Sequence, residues 1–251
     1  MALITVEALT QTAQQQAEEY ARHWGVTTAA PPPGSKGVKV VVSETAVGLG
    51  FVEAKRGKPY FVDFLTQEWR GRLLKGLPRN HIFRRAIGVH DGPVSVIDAT
   101  AGFGQDAMLA VSLGCDVTAV EKSNVVITVL RNGIERARED ESLRAKFAKM
   151  KVVEADAEQF LAHSPAADVV YLDPMFTKPK KSAKSPKEMQ LLQDLLAPLP
   201  TNEDLERLFL VAYAHARHRV VIKQPLKAKA LGRTPTHTYK GQSIRYDVYV
   251  K

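Results

Sequence analysis

From Gly92 to the C terminus, short apolar runs alternate with stretches of helical period. That alternation restricts the chain to a mostly parallel sheet with helices on its faces. Val94–Ile97, Val117–Val120, Lys151–Val153, Asp168–Leu172 and Arg219–Lys223 read as strands. Asn124–Arg138 and Glu203–Ala216 read as helices, the second with Leu205, Leu208, Leu210, Val211 and Ala214 among its apolar positions. His237–Tyr239 and Ile244–Val250 flank Gly241-Gln242 and predict a closing hairpin.

The texture before Gly92 is different. Glu7–Trp24 predicts a polar helix, and Pro31-Pro32-Pro33-Gly34-Ser35 breaks any regular structure. Val38–Val42, Val47–Glu53 and Tyr60–Phe64 predict a small antiparallel meander. Glu68–Gly88 is basic and helix-prone, interrupted at Pro78. The expected division is an N-terminal α+β appendage over residues 1–90 and an α/β domain over residues 91–251.

The first strand of the α/β part runs into Asp98-Ala99-Thr100-Ala101-Gly102-Phe103-Gly104-Gln105-Asp106-Ala107. Glycines at a strand-to-helix turn let the backbone approach a ligand closely, because no Cβ intrudes. Gly102, Gly104 and Ala107 also satisfy a relaxed dinucleotide fingerprint. Asp98 separates the two readings. A carboxylate at the strand end repels a pyrophosphate but suits the ammonium of a zwitterionic methionine moiety. Glu121 ends the second strand roughly 20 residues further on, where a carboxylate pairs with a ribose diol. Asp156 follows the third strand and has two readings: acceptor for an adenine amine, or N-cap of the next helix.

Asp173-Pro174-Met175-Phe176 follows the fourth strand. The Asp173 carboxylate and the Pro174 carbonyl offer two acceptors for the two N–H bonds of one amine, and Phe176 offers a stacking face. An amine conjugated to an aromatic ring is a poor nucleophile, because its lone pair is delocalised. Accepting its protons returns electron density to nitrogen as the methyl group arrives. Lys178, Lys180, Lys181, Lys184 and Lys187 come next, five lysines in ten residues. Their position directly after the motif reads as phosphate gripping beside a target base, against the alternative of a solvated loop.

Lys plus Arg total 35 against 27 Asp plus Glu, a formal charge of +8. The surplus points to a polyanionic partner or to a basic solvated surface. The single cysteine, Cys115, excludes a disulfide framework and a cysteine-based zinc site. His215 and His218 stand at i and i+3 without a carboxylate motif, so no metal site is expected. No secretory signal and no run of ~18 apolar residues is visible, and a cytoplasmic protein is expected.

Taken together, the DATAGFGQDA turn, the AVEKS strand end, YLDPMF, KSAKSPKEM and the closing SIRYDVY resemble the ribosomal RNA small subunit methyltransferase J family. The resemblance covers about Val94 to Tyr249 and reaches back more loosely to Phe61-Val62-Asp63-Phe64. It implies a class I S-adenosylmethionine-dependent methyltransferase: a Rossmann-like, seven-stranded, mostly parallel sheet with an antiparallel final hairpin strand. It also implies methylation of the exocyclic N2 amine of a guanine in bacterial 16S ribosomal RNA, with that RNA or the small ribosomal subunit as partner. Cofactor contacts carried over by position fall on Gln105, Asp106, Glu121, Lys122, Asp156, Ala157 and Asp173, beside Asp98, Gly102 and Gly104 from the loop. Thr177-Lys178 stands where the family has a Pro-His pair, and Lys184-Ser185-Pro186 where apolar residues and a lysine are typical. Within the same class, an adenine-N6 or glutamine-amide methyltransferase would use the same motif. A nicotinamide-dependent oxidoreductase and a non-catalytic RNA-binding subunit are the rivals outside it.

Overall fold

The computed structural model describes residues 3–89, 94–175, 186–231 and 233–251. In chain order its elements are β1 (Leu3–Ala8), α1 (Gln14–Trp24), β2 (Gly37–Val42), β3 (Val47–Phe51), β4 (Tyr60–Phe61), α2 (Gln67–Lys75) and α3 (Ile82–Ile87). There follow β5 (Ser95–Asp98), α4 (Gln105–Ser112), β6 (Asp116–Glu121), α5 (Asn124–Arg138), α6 (Arg144–Phe147), β7 (Met150–Glu154) and α7 (Ala157–His163). The chain closes with β8 (Val169–Leu172), α8 (Lys187–Leu195), α9 (Asn202–His215), β9 (Arg219–Pro225), β10 (His237–Lys240) and β11 (Ile244–Val250). Among the described residues no helix is long and apolar enough to cross a membrane.

Two compact units emerge, and they do not divide at residue 90. One comprises Met1–Phe64, Ser123–Arg136 and Met175–Leu199; the other comprises Leu65–Lys122, Ala137–Pro174 and Pro200–Lys251. Residues 65–89 join the second unit because α2 packs on α4 and α3 packs on β10 and β11. Phe83, Ala86 and Ile87 of α3 are buried there.

The first unit holds a sheet of order β1-β2-β3-β4. The expected meander is present, with β2–β3 and β3–β4 both antiparallel. The helix expected over Glu7–Trp24 starts later. Glu7 and Ala8 belong to β1, which runs parallel to β2 with Glu7 opposite Val41. Ile4, Thr5 and Val6 favour a strand because they are β-branched, and Thr5 and Val6 are buried in it. Gly133 of α5 lies against Val62: a Cβ there would meet the Val62 side chain at 2.6 Å and its carbonyl at 2.7 Å.

The second unit holds a seven-stranded sheet of order β10-β11-β9-β8-β5-β6-β7. The pairs from β7 through to β9 are parallel, while β11 runs antiparallel to both β9 and β10. The central strands are near-continuous apolar runs because both faces are covered. Val96, Ile97, Val117, Val120, Val169, Val170, Val221 and Ile222 are all buried. From β5 the chain steps outward to β6 and β7, then crosses back to β8 on the other side of β5. The order therefore reverses between β5 and β8, and the carboxyl ends of these strands leave a crevice at that switch point.

Candidate active site

Four strands supply the crevice with ionisable groups: Asp98 and Glu121 end β5 and β6, Asp173 directly follows β8, and Lys223 lies within β9, two residues before its end. The turn after β5 is shaped by two glycines with positive φ, Gly102 at 51° and Gly104 at 74°. Gly104 is the N-cap of α4, so the first turn of that helix, with Gln105 and Asp106, opens at the crevice. The loop is tied to strands on both sides. Gly102 N–H donates to Glu121 Oε2 at 3.0 Å, and Ala101 N–H donates to the Val120 carbonyl at 3.0 Å. Toward β8, Asp173 N–H donates to Thr100 Oγ1 at 2.7 Å.

The acidic groups differ in access. Asp98 is 2% exposed and accepts from Thr100 N–H at 3.2 Å. Burial drives its pKa well above the ordinary carboxylate value, and the neighbouring Asp106 adds to the rise. The Asp173 side chain keeps 27% of its surface open, so it can be reached by a ligand. Burial, set against the Lys223 ammonium and reinforced by Asp106, leaves its pKa pushed up to about 7.

Lys223 was not among the residues expected to act. Its Nζ lies 2.8 Å from Asp106 Oδ2 and 2.8 Å from Asp173 Oδ2. Burial alone would lower its pKa, but the two carboxylates outweigh that and hold it raised. Tyr171 Oη donates to the same Asp106 oxygen at 2.9 Å. The Tyr171 ring is fully buried and meets Phe83 edge-on at 5.6 Å. The available signal was a lysine following an apolar run, beside the strand that carries the Asp-Pro motif. Which two carboxylates it would bridge depends on sheet order.

Asp156 caps α7, with its Oδ1 accepting from Glu158 N–H at 3.0 Å and Gln159 N–H at 3.2 Å. Ala157 is the first residue of α7. Lys122 is exposed just beyond β6, and Pro174 is buried. Lys187 opens α8 in the other unit. Phe176, Lys178, Lys180, Lys181 and Lys184 lie outside the described residues.

The closing SIRYDVY segment has a structural role. Arg245 and Asp247 form a buried pair on β11, Nη2 to Oδ2 at 2.9 Å. Arg245 Nη1 also donates to the carbonyls of Pro225 at 3.1 Å and Leu226 at 2.7 Å. That guanidinium fixes the chain as it leaves β9, two residues past Lys223. A buried charge needs such complete satisfaction to be tolerated.

The crevice suits a ligand that is cationic at one end. Lys223 bridges two carboxyls, Asp106 and Asp173, and a third, Asp98, lies near enough to feel both. A dinucleotide pyrophosphate would be repelled at the same place.

The comparisons with known proteins agree with this chemistry. A family model described as "Putative SAM-dependent methyltransferase" matches residues 20–251. The ribosomal RNA small subunit methyltransferase J of Thioalkalivibrio sulfidiphilus is 33% identical over 252 residues, covering 98% of this chain and 97% of the relative. The enzyme of the same name from Coxiella burnetii is 38% identical over 195 residues, covering 76% and 75%. The crystal structure of a SAM-dependent methyltransferase from Neisseria gonorrhoeae superposes with a TM-score of 0.72 at 26% identity, covering 98% of this chain and 95% of that one.

Proposed function

Since the chain belongs to the ribosomal RNA small subunit methyltransferase J family, within the S-adenosylmethionine-dependent methyltransferases, we propose that it methylates the exocyclic N2 amine of a guanine in bacterial 16S ribosomal RNA. The observation that carries this reading is the bridging of Asp106 and Asp173 by Lys223, with Asp98 beside them. Carboxyls that outnumber the ammonium favour a sulfonium and an α-ammonium, whose positive charge would draw them into the ionised form, and the Gly102–Gly104 turn gives the methionine moiety room.

In this proposal Asp98, Gly102, Gly104, Gln105 and Asp106 hold the methionine part. Glu121 and Lys122 hold the ribose, and Asp156 and Ala157 flank the adenine. When bound, S-adenosylmethionine supplies an electrophilic methyl group on a good leaving group. The protein's own work is to present the amine. Asp173 and the Pro174 carbonyl accept its two N–H bonds, which raises electron density on nitrogen and turns the lone pair toward the crevice. Phe176 stacks on the base. The base has to be unpaired or flipped, because an amine inside a stack cannot reach a buried crevice. Lys178, Lys180, Lys181, Lys184 and Lys187 grip flanking phosphates, and residues 1–90 add further RNA contact. The protein acts in the cytoplasm, where ribosomal subunits are assembled.

The test is methyl transfer from labelled S-adenosylmethionine to small subunits and to naked 16S ribosomal RNA from a strain lacking the enzyme, followed by nucleoside analysis. Label is expected in N2-methylguanosine. Label in N6-methyladenosine or in a glutamine side chain would replace the proposal with a different amine. Cofactor-independent RNA binding without transfer would make the chain a binding subunit.

A further inference from the structure

We propose that Lys223 is a positioning residue for methyl transfer: its ammonium holds the Asp173 carboxylate ionised and oriented toward the substrate amine, with Asp106 as its second anchor. The inference rests on the reading that Asp173 grips that amine. Its basis is geometric. Lys223 Nζ makes two charged hydrogen bonds of 2.8 Å, one to each carboxylate. Asp173 Oδ2 is therefore taken by the ammonium, while its backbone N–H is fixed to Thr100 at 2.7 Å. With one oxygen and the main chain both held, the second oxygen has a defined direction. Lys223 is itself fixed, because β9 pairs with β8 on one side and β11 on the other, with Lys223 opposite Tyr246.

Among the described residues, the ionisable groups that act most on Asp173 and its neighbours come from five elements. Asp98 faces it from β5, Asp106 from α4, Tyr171 from β8, Tyr246 from β11 and Lys223 from β9. Lys223 is the cation in this set. Asp106 opposes ionisation of Asp173, and burial raises both tyrosines, which are neutral at physiological pH. Without the ammonium, Asp173 would be partly buried among like charges and would take up a proton. A protonated carboxyl has a donor where an amine needs an acceptor, so the grip on the substrate would fail at neutral pH.

The experiment compares pH profiles of kcat/KM for the full-length wild type, Lys223→Met, Lys223→Gln and Lys223→Arg, with small subunits lacking the modification as substrate. Lys223→Met and Lys223→Gln should move the acid limb upward by about 1–3 pH units, the usual effect of an opposite charge on a carboxyl. Activity should be low at neutral pH and recover in alkaline buffer. Lys223→Arg should keep the limb nearer to that of the wild type. S-adenosylmethionine itself should bind the Met and Gln variants about as tightly as the wild type, because loss of the cation and protonation of Asp173 leave the net charge of the site unchanged.

A merely structural lysine would lower activity at every pH and weaken cofactor binding, leaving the limb in place; that result overturns the proposal. If neither the Met nor the Gln variant folds, the role is structural and the proposal falls. Asp173→Ala separates the two layers. Full activity in that variant sinks the reading of Asp173 itself, whereas a dead Asp173→Ala with an unmoved limb in Lys223→Met sinks only the role of Lys223.

Discussion

The backbone N–H of Gly102 donates to the carboxylate of Glu121 across 3.0 Å. A residue expected to hold the ribose thus also anchors the glycine turn that would cradle the methionine part. Glu121 is 7% exposed, and loss of its carboxylate leaves the part-buried Gly102 N–H without this acceptor. Glu121→Ala should weaken S-adenosylmethionine binding by about 1–3 kcal/mol, the penalty for unpaired buried polar groups. Glu121→Gln retains an acceptor for Gly102 and should lose less. Calorimetry showing unchanged affinity in the Ala variant would mean that the ribose lies elsewhere.

Asp173→Ala should slow methyl transfer by at least ~100-fold, the scale of losing a positioned catalytic group, while the fold survives. The wild type should show an acid limb near pH 7, because burial pushes the Asp173 carboxyl up to about 7 against the pull of Lys223. The sign follows from the role: the ionised form accepts the amine protons, so activity rises as pH increases through that value and falls below it. Asp173→Asn retains a carbonyl acceptor that does not titrate and should lose the limb. A wild-type profile flat across neutral pH would contradict the assignment.

Gly133 sits inside α5, where an alanine normally gains about 1 kcal/mol over glycine. Here the opposite is expected. The added Cβ would lie 2.6 Å from the Val62 side chain and 2.7 Å from its carbonyl oxygen, and a backbone oxygen cannot swing away. Gly133→Ala should destabilise by about 1–3 kcal/mol, as overpacking does. Urea denaturation gives the answer, and an equally stable variant would show that α5 and Val62 separate easily.

The lysines after the Asp-Pro motif make an electrostatic prediction. Each phosphate contact contributes about 0.7 to the slope of log affinity against log salt for single-stranded RNA. Replacing Lys180, Lys181 and Lys184 together by alanine should flatten that slope by up to ~2 units, with cofactor affinity unchanged. Phe176→Ala should cost about 1–3 kcal/mol of stacking with little change in slope. Parallel salt plots for the wild type and the triple variant would reduce the loop to a solvated segment.

The order of strands and helices after Gly92 was legible because buried parallel strands leave continuous apolar runs and an amphipathic helix leaves a periodic one. The placement of Asp98, Gly102, Glu121 and Asp173 was legible for a related reason. Each sits at or just beyond a strand's carboxyl end, and the fold class alone brings those ends to one crevice. The resemblance of YLDPMF and its neighbours to a known family narrowed the chemistry further.

Other features depended on contacts distant in sequence. Residues 65–89 looked continuous with the N-terminal part, yet α3 is buried under β10 and β11, more than 140 positions later in the chain. Glu7 and Ala8 looked helical in a polar context, but pairing with β2 makes them strand. Asp156 carried two local readings, and only the path of α7 shows its capping bonds. Lys223 marks the limit most clearly. The sequence determined that a lysine follows the apolar run of β9, Val220–Ile222. Only the tertiary structure decided that it bridges Asp106 and Asp173, 117 and 50 residues away. A charge on a strand takes its partners from whichever strands become its neighbours, and that order is set by burial over the whole sheet.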